Sequence, residues 1–296
     1  AVGLRLSHLG NYEAAAAVFE HALRLQPTDP RTAAKLNFYL GYLTARKGTA
    51  ADYERAIAYY SLAVDLNQKL YTALYNRGTL HIKLAQQAPA NEPILLEKLN
   101  AAITDLTTVI TLQPTYIDAY LNRGVAYYER DEPDDMAAAL ADLDHVIATK
   151  GDYALAYYSR GLVHIRAGAG TQWVADFQRA LTLQPDYTSA VSGLCWGYAL
   201  AQQAEKALLY CEQAVKYDQT GASRDSRAIA YAQLGRYADA IADFRAYLEW
   251  LQGQSAVFDY ERNRGPLVEQ WIAQLEAGNN PFDPTLLAKL RHRDHY

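Results

Sequence analysis

The chain has 296 residues, half of them apolar, a formal charge of −5 and only two cysteines. That acidic balance offers no basic surface for a phosphate backbone, which excludes nucleic acid as an expected partner. No window approaches the roughly 18–20 uninterrupted apolar residues of a membrane-spanning helix, and the first residues lack a charged-then-apolar signal pattern.

In chain order, one spacing keeps returning. A small residue is followed four positions later by an apolar one, three later by a small or branched one, and five later by a helix stop. Ala15, Phe19, Ala22 and Pro27 are matched by Ala56, Tyr60, Ala63 and Gln68, and by Ala102, Leu106, Val109 and Pro114. Four more sets follow, headed by Ala139, Trp173, Ala207 and Ala240. These offsets lie on one face of a helix. A second helix precedes each set and carries a small residue at one phase: Gly3, Gly41, Gly78, Gly124, Gly161, Cys195 and Ala228. A glycine inside a helix costs roughly 0.5–1 kcal/mol, so its recurrence at one phase implies close helix contact.

Extra residues fall between helices, at Thr49-Ala50-Ala51, at Asp131 to Asp134, and in the insert from Ala85 to Pro93. Insertions at turns cost little loop entropy. The last of them lengthens the second helix of the third unit; it reads as a surface loop, or as a lip on a groove. The chain starts without Met at the middle of a first helix, so the expectation is that something precedes Ala1. After Gln252 the pattern stops, and Gly253-Gln254-Ser255 punctuates the change. Pro266 opens a helix with Leu267, Val268, Trp271, Ile272 and Leu275 on one face, suited to cover the last unit. Asp283 caps a short final helix that runs to Leu290. Asn280-Pro281-Phe282 is similar to a short docking motif for endocytic domains, and reads more simply as a turn.

From Gly151 through Pro185 to Gln219 the stops step by 34 residues, the period of a tetratricopeptide helix–turn–helix unit. Leu9-Gly10-Asn11-Tyr12 and Leu234-Gly235-Arg236-Tyr237, with Tyr75-Asn76-Arg77-Gly78, Leu121-Asn122-Arg123-Gly124 and Tyr158-Ser159-Arg160-Gly161, resemble the tetratricopeptide repeat family as many bacterial members present it. The resemblance covers roughly residues 1–250. It implies an all-α, right-handed α-solenoid, a superhelix of antiparallel helix pairs with a C-terminal capping helix. Seven repeats, the first truncated, would occupy residues 1–252, with the cap and tail at 253–296.

Comparing the units with one another gives a finer inference. Arg77, Arg123, Arg160 and Arg227 precede the small residue of the first helix in the same units that carry Asp105, Asp142, Asp176 and Asp243 before the apolar residue of the second. The other units have Val2, Leu40 and Leu194 with Val18, Tyr59 and Tyr210. Arg and Asp come and go together, which predicts a partly buried ion pair within each unit; a row of Arg reading acidic partners is the functional alternative. Pairing with the preceding unit fits less well.

The resemblance also implies that the inner face of the superhelix comes from residues three before, one after and four after the recurring small residue. These include Phe38, Tyr42, Tyr75, Thr79, Leu121, Tyr128, Tyr158, Leu162, Ser192 and Trp196, and beside them Ile82, Ile165 and Ala199. Asn76 and Asn122 match the family's Asn that touches peptide backbone. Tyr75, Leu121 and Tyr158 stand where a carboxylate-binding Lys would, which argues against a carboxylate clamp. A mostly aromatic and branched face suits an amphipathic helix or an apolar segment, unless winding buries the stripe between units.

Catalysis finds no support. His81 and His164 share a phase with tyrosines and read as structural. His292-Arg293-Asp294 matches a kinase triplet by coincidence, and His292 with His295 could hold at most a stray metal. No cofactor or metal site is expected. Cys195 and Cys211 sit at core phases and read as small buried hydrophobes; paired helices would also bring them near enough for a disulfide. Trp173 stands at a small-residue phase, which asks for local repacking around Gly161 and Gly170 or for a binding role. The reading is a non-enzymatic scaffold for a protein or peptide, with self-association, or service as the recruiting arm of an enzyme domain outside this chain, as alternatives. Its location would be cytoplasmic, or at a membrane through a preceding anchor.

Overall fold

The structure, a computed structural model, describes residues 2–87, 93–217, 221–253 and 264–292. Among these it has sixteen α-helices and no strand. The helices are α1 (Val2–His8), α2 (Tyr12–Arg24), α3 (Pro30–Ala45), α4 (Ala50–Leu66), α5 (Tyr71–Gln87), α6 (Pro93–Leu112), α7 (Ile117–Arg130) and α8 (Asp135–Thr149). They continue with α9 (Ala154–Arg166), α10 (Gln172–Leu183), α11 (Thr188–Leu200), α12 (Ala204–Tyr217), α13 (Ala222–Gln233), α14 (Tyr237–Gln252), α15 (Gly265–Glu276) and α16 (Pro284–Lys289). The chain divides into two compact units, one ending at Ala126 and the other beginning at Tyr127. Both are stacks of helix pairs: α1 with α2, α3 with α4 and α5 with α6 in the first, and α9 with α10, α11 with α12 and α13 with α14 in the second. In the second unit α8 packs on α9 and α15 on α14.

Local chemistry sets the helix starts. Asn11 accepts from the Ala14 amide, Asp29 from Arg31 and Thr32 ahead of Pro30, Thr49 from Asp52, and Asp283 from Leu286 ahead of Pro284. Each satisfies amides that the first helical turn leaves unpaired. Gly10 and Gly235 turn the chain between paired helices at φ of 79° and 72°, where a side chain would be strained. The insert does lengthen α6, which begins at Pro93; its residues Ala88 to Glu92 lie outside the described residues, as do the stop at Gln219, Gln254, Ser255 and the tail from Arg293 through His295.

The small-residue phase is where paired helices touch. A Cβ built on Gly3 would stand 2.6 Å from the Phe19 ring, on Gly41 2.8 Å from the Tyr60 ring, and on Gly161 2.6 Å from the Phe177 ring. Each ring is the apolar residue of the recurring set, and Ala15, Ala56, Ala102, Ala139, Ala207 and Ala240 beside those positions are wholly buried. Glycine is required because the ring occupies the space its side chain would need.

Two expectations are corrected at these phases. Cys195 and Cys211 are not free hydrophobes: they form a disulfide with Cα atoms 4.8 Å apart. The Gly position and the ring position of the other units meet directly, so replacing both by Cys joins the sulfurs in the same gap. Trp173 repacks, but not around Gly161. Its ring lies over Gly197 of α11, where an added Cβ would come within 2.7 Å, while its Nε1–H donates to the Gly170 carbonyl at 3.0 Å. An edge-on contact with Tyr198 at 4.9 Å completes the site.

Candidate functional site

In the first unit, the first helices carry a mostly half-buried aromatic and amide row. Phe38 on α3 is half-buried beside Tyr39 and Tyr60, and Tyr42 is 40% exposed. On α5, the Asn76 carboxamide donates to the Tyr60 hydroxyl at 3.2 Å. On α7, the Asn122 carboxamide donates to the Tyr75 hydroxyl at 3.0 Å and reaches Thr79 Oγ1 at 3.3 Å. Thr79 in turn donates to the Tyr75 carbonyl, and the Tyr75 ring meets Tyr116 edge-on at 4.9 Å. These hydroxyls thereby fix the orientation of both carboxamides: Asn76 spends one of its two N–H donors, whereas Asn122 spends both and turns its oxygen, an acceptor, the other way.

Leu121 does not belong to this row. It is 2% exposed, as Ile82, Ile165 and Ala199 are also buried, so these stripe residues support the helix wall instead of lining a surface. In the second unit Tyr128, Tyr158, Leu162 and Trp196 are half-buried. Tyr158 packs against Phe177 and Tyr187, and burial raises its phenol pKa. Arg166 stacks on the Tyr128 ring at 3.7 Å, and Arg264 lies 5.5 Å from the Trp196 ring. Arg264 also pairs with buried Asp225 at 3.0 Å, where loss of water raises the carboxyl pKa against the pull of the guanidinium.

The arginines at the paired phase make geometry that repeats. Arg77 meets Asp105 in a two-pronged contact at 2.8 and 2.7 Å, Arg160 reaches Asp176 at 2.6 Å, and Arg227 reaches Asp243 at 2.6 and 2.7 Å. Arg123 and Asp142, of one repeat, belong to different compact units. The structure adds a partner that the sequence comparison passed over. Each of three arginines also reaches back to the preceding second helix: Arg77 to Ser61 at 3.0 Å, Arg123 to Thr107 at 3.1 Å, and Arg160 to Asp144 at 2.7 Å. Glu212 stands at the matching phase, and the Arg227 pKa is raised chiefly by the hydrogen bond to Asp243, with a smaller contribution from the Glu212 charge. All four residues follow the apolar residue of the set by one, a signal present in the sequence but divided among hydroxyls and carboxylates.

The chemistry-bearing candidates stay structural. His81 is buried with its Nδ1 unpartnered, and burial lowers its pKa against the pull of Asp105. His164 behaves likewise beside Asp176 at 3.6 Å. Among the described residues, no group of three or more His, Cys, Asp or Glu could hold a metal ion, and no helix is long and apolar enough to cross a membrane. The Asn280 motif is a turn: its side chain accepts from the Phe282 amide at 3.0 Å, and Phe282 is 3% exposed.

Comparison with known proteins meets this geometry at the repeats. Family profiles described as "Tetratricopeptide repeat" and "TPR repeat" match residues 3–29 and 92–130. Over those residues the chain matches the tetratricopeptide repeat. A tetratricopeptide repeat protein of Parabacteroides merdae superposes with a TM-score of 0.67 at 17% identity, covering 93% of this chain and 96% of that one. PilW, described as a widely conserved type IV pilus biogenesis factor, superposes at 0.60 with 18% identity, over 77% of this chain and 97% of its own. YrrB, described as a tetratricopeptide protein with an unusual peptide-binding site, gives 0.51 at 18% identity, over 70% and 96%. In sequence, the photosystem I assembly protein Ycf3 of Acaryochloris marina is 37% identical over 84 residues, 28% of this chain. That match spans about half, 48%, of the curated relative. The solved tetratricopeptide structures establish the fold, at identities too low to transfer a partner.

Proposed function

We propose that this tetratricopeptide chain is a non-catalytic scaffold that binds a peptide or helical segment on its first-helix faces, with seven repeats over residues 1–252 closed by 253–296. The observation that carries this reading is the pair of carboxamides, Asn76 and Asn122, held by tyrosine hydroxyls in an aromatic wall. The Asn76 carboxamide can donate to and accept from a peptide backbone, and the Asn122 oxygen can accept from one, while the flanking rings take up apolar side chains. The likeness to YrrB, whose description names a peptide-binding site, and to a photosystem assembly protein supports the same class of work.

Selection of displayed peptides on the purified chain, followed by calorimetry, tests this. Replacing both Asn76 and Asn122 by Ala should weaken a selected peptide about tenfold or more, since each lost hydrogen bond contributes about 0.5–1.5 kcal/mol. Unchanged affinity in a variant with wild-type circular dichroism would remove the first unit's face from the proposal. Self-association is a second reading, favoured by Val2, Leu9 and Leu25, which are 64%, 73% and 70% exposed on the first helix pair. Sedimentation that stays monomeric at high concentration would rule it out.

A further inference from the structure

The segment after α15 does more than close the stack. Leaving α15 through Gly278, at a φ of 82°, the chain packs Phe282 against the touching rings of Phe244 and Trp271, at 5.9 and 5.0 Å. Leu287 and Leu290, 1% and 0% exposed, then enter the buried cluster that contains Ile165, Trp173 and Tyr198 and is flanked by Tyr158, Leu162 and Trp196. The segment ends on α9 and the turn after α7. Arg166, itself 6% exposed, donates through Nε to the Arg291 carbonyl at 3.2 Å and through Nη1 to the Tyr128 carbonyl. His292 Nδ1 meets Asp131 at 3.2 Å, and that carboxylate also lies 3.9 Å from Arg166. The second unit's candidate binding residues therefore share their cluster with a stretch of the chain's own C-terminal end.

A six-residue helix has no stability of its own in water, so docking alone holds α16 in shape. Its grip is that of a bound peptide: apolar side chains in the wall, a buried guanidinium on a main-chain carbonyl, and a His on a carboxylate. Arg166 reads backbone, which any segment of the same shape offers.

We propose that Pro281–His292 is an intramolecular ligand of the second unit, and that a partner docking there carries the same pattern. That pattern is an aromatic residue, then a short helix with leucines three apart, then a basic residue or His beside Asp131. This rests on the scaffold reading and names the ligand for one of its faces. A ligand tethered in cis competes at high effective concentration, so the face is reached only when the segment lifts.

The test uses the full chain and a fluorescent peptide of residues 281–292. In the full-length Leu287→Asp/Leu290→Asp variant the resident segment is released, and the peptide should bind about tenfold or more tightly than to wild type. Adding Arg166→Ala to that variant should weaken the peptide by about tenfold. A folded variant that takes up no peptide, or binds it no better than wild type, overturns the proposal. If that outcome coincides with selected peptides still binding through Asn76 and Asn122, this inference fails and the scaffold reading stands. Hydrogen exchange on the unmodified chain gives a second measurement should the variant not fold. Amides of Leu287 and Leu290 should exchange about a hundredfold faster than those of α11, because the segment lifts without unfolding the unit. Exchange at the α11 rate overturns the proposal equally.

Discussion

At Arg160 one guanidinium is divided between two carboxylates, Asp176 on its own second helix and Asp144 on the preceding one. The two are unequal, because Asp176 is 5% exposed and Asp144 60%. Water screens the outer pair, whereas removing Arg160 leaves a buried carboxylate without its cation. Arg160→Ala should therefore destabilise by about 3–5 kcal/mol and Asp144→Ala by under about 1 kcal/mol. A double-mutant cycle between Arg160 and Asp176 by urea denaturation checks the assignment; absence of coupling would sink it. The inner partners were legible in the sequence because Arg and Asp vanish from the same units. The outer partners were not, because Ser61, Thr107 and Asp144 share a position and an accepting oxygen but no residue type. His81 and His164 carry the pH dependence. Burial lowers both pKa values below the ordinary 6.5, so the unfolded chain takes up protons first as pH falls. Stability from these groups is full above pH 6.5 and declines as pH falls through the folded values. Thermal unfolding from pH 7.5 to 5 should show a falling midpoint, and His81→Phe/His164→Phe should flatten it if these imidazoles are the cause.

Between elements, the contact of α10 with α11 turns on one large and one absent side chain. Trp173 fills the notch that Gly197 leaves, on the same helix that carries Cys195 at the usual small phase. The sequence showed Trp173 as an exception to its phase but gave no sign of the compensation. Gly197 lies two positions beyond the recurring small residue, so a search at one phase passes over it. Trp173→Ala should cost about 3–5 kcal/mol as a large buried ring is lost. Gly197→Ala should cost about 1–3 kcal/mol, since a Cβ there meets the ring at 2.7 Å. In the double variant the new methyl enters space the ring has left, so the combined loss should fall short of the sum by about 1 kcal/mol or more. Strict additivity in denaturant would show that the two positions do not share that space. The helix order was legible because its signals are local: caps, stops and a repeated face. The docking of Phe282, Leu287 and Leu290 onto the second unit was not, because it joins residues far apart in sequence, and the pattern of α16 alone supports a terminal cap equally well. Nor does the repeat period mark the division between the compact units, which falls within α7.

For the molecule as a whole, the disulfide bears on where and how the chain is stable. Cys195 and Cys211 enclose 16 positions of sequence, and closing a loop of that size contributes about 3 kcal/mol by restricting the unfolded chain. Such a bond persists in oxidising compartments and is rare where glutathione keeps thiols reduced. We therefore expect the chain to work where thiols are kept oxidised. In a stack whose pairs support one another through neighbours, the loss on reduction should centre on α11 and α12. Protein purified in air should show no reactive thiol until denatured and reduced. Reductant should lower the unfolding midpoint by about 5–10 °C, the shift that about 3 kcal/mol produces in a domain of this size. Cys195→Ser/Cys211→Ser should behave as the reduced protein does and ignore reductant. Two reactive thiols in the untreated chain, or a midpoint indifferent to reductant, would place the sulfurs back among buried apolar groups and remove the argument for an oxidising location.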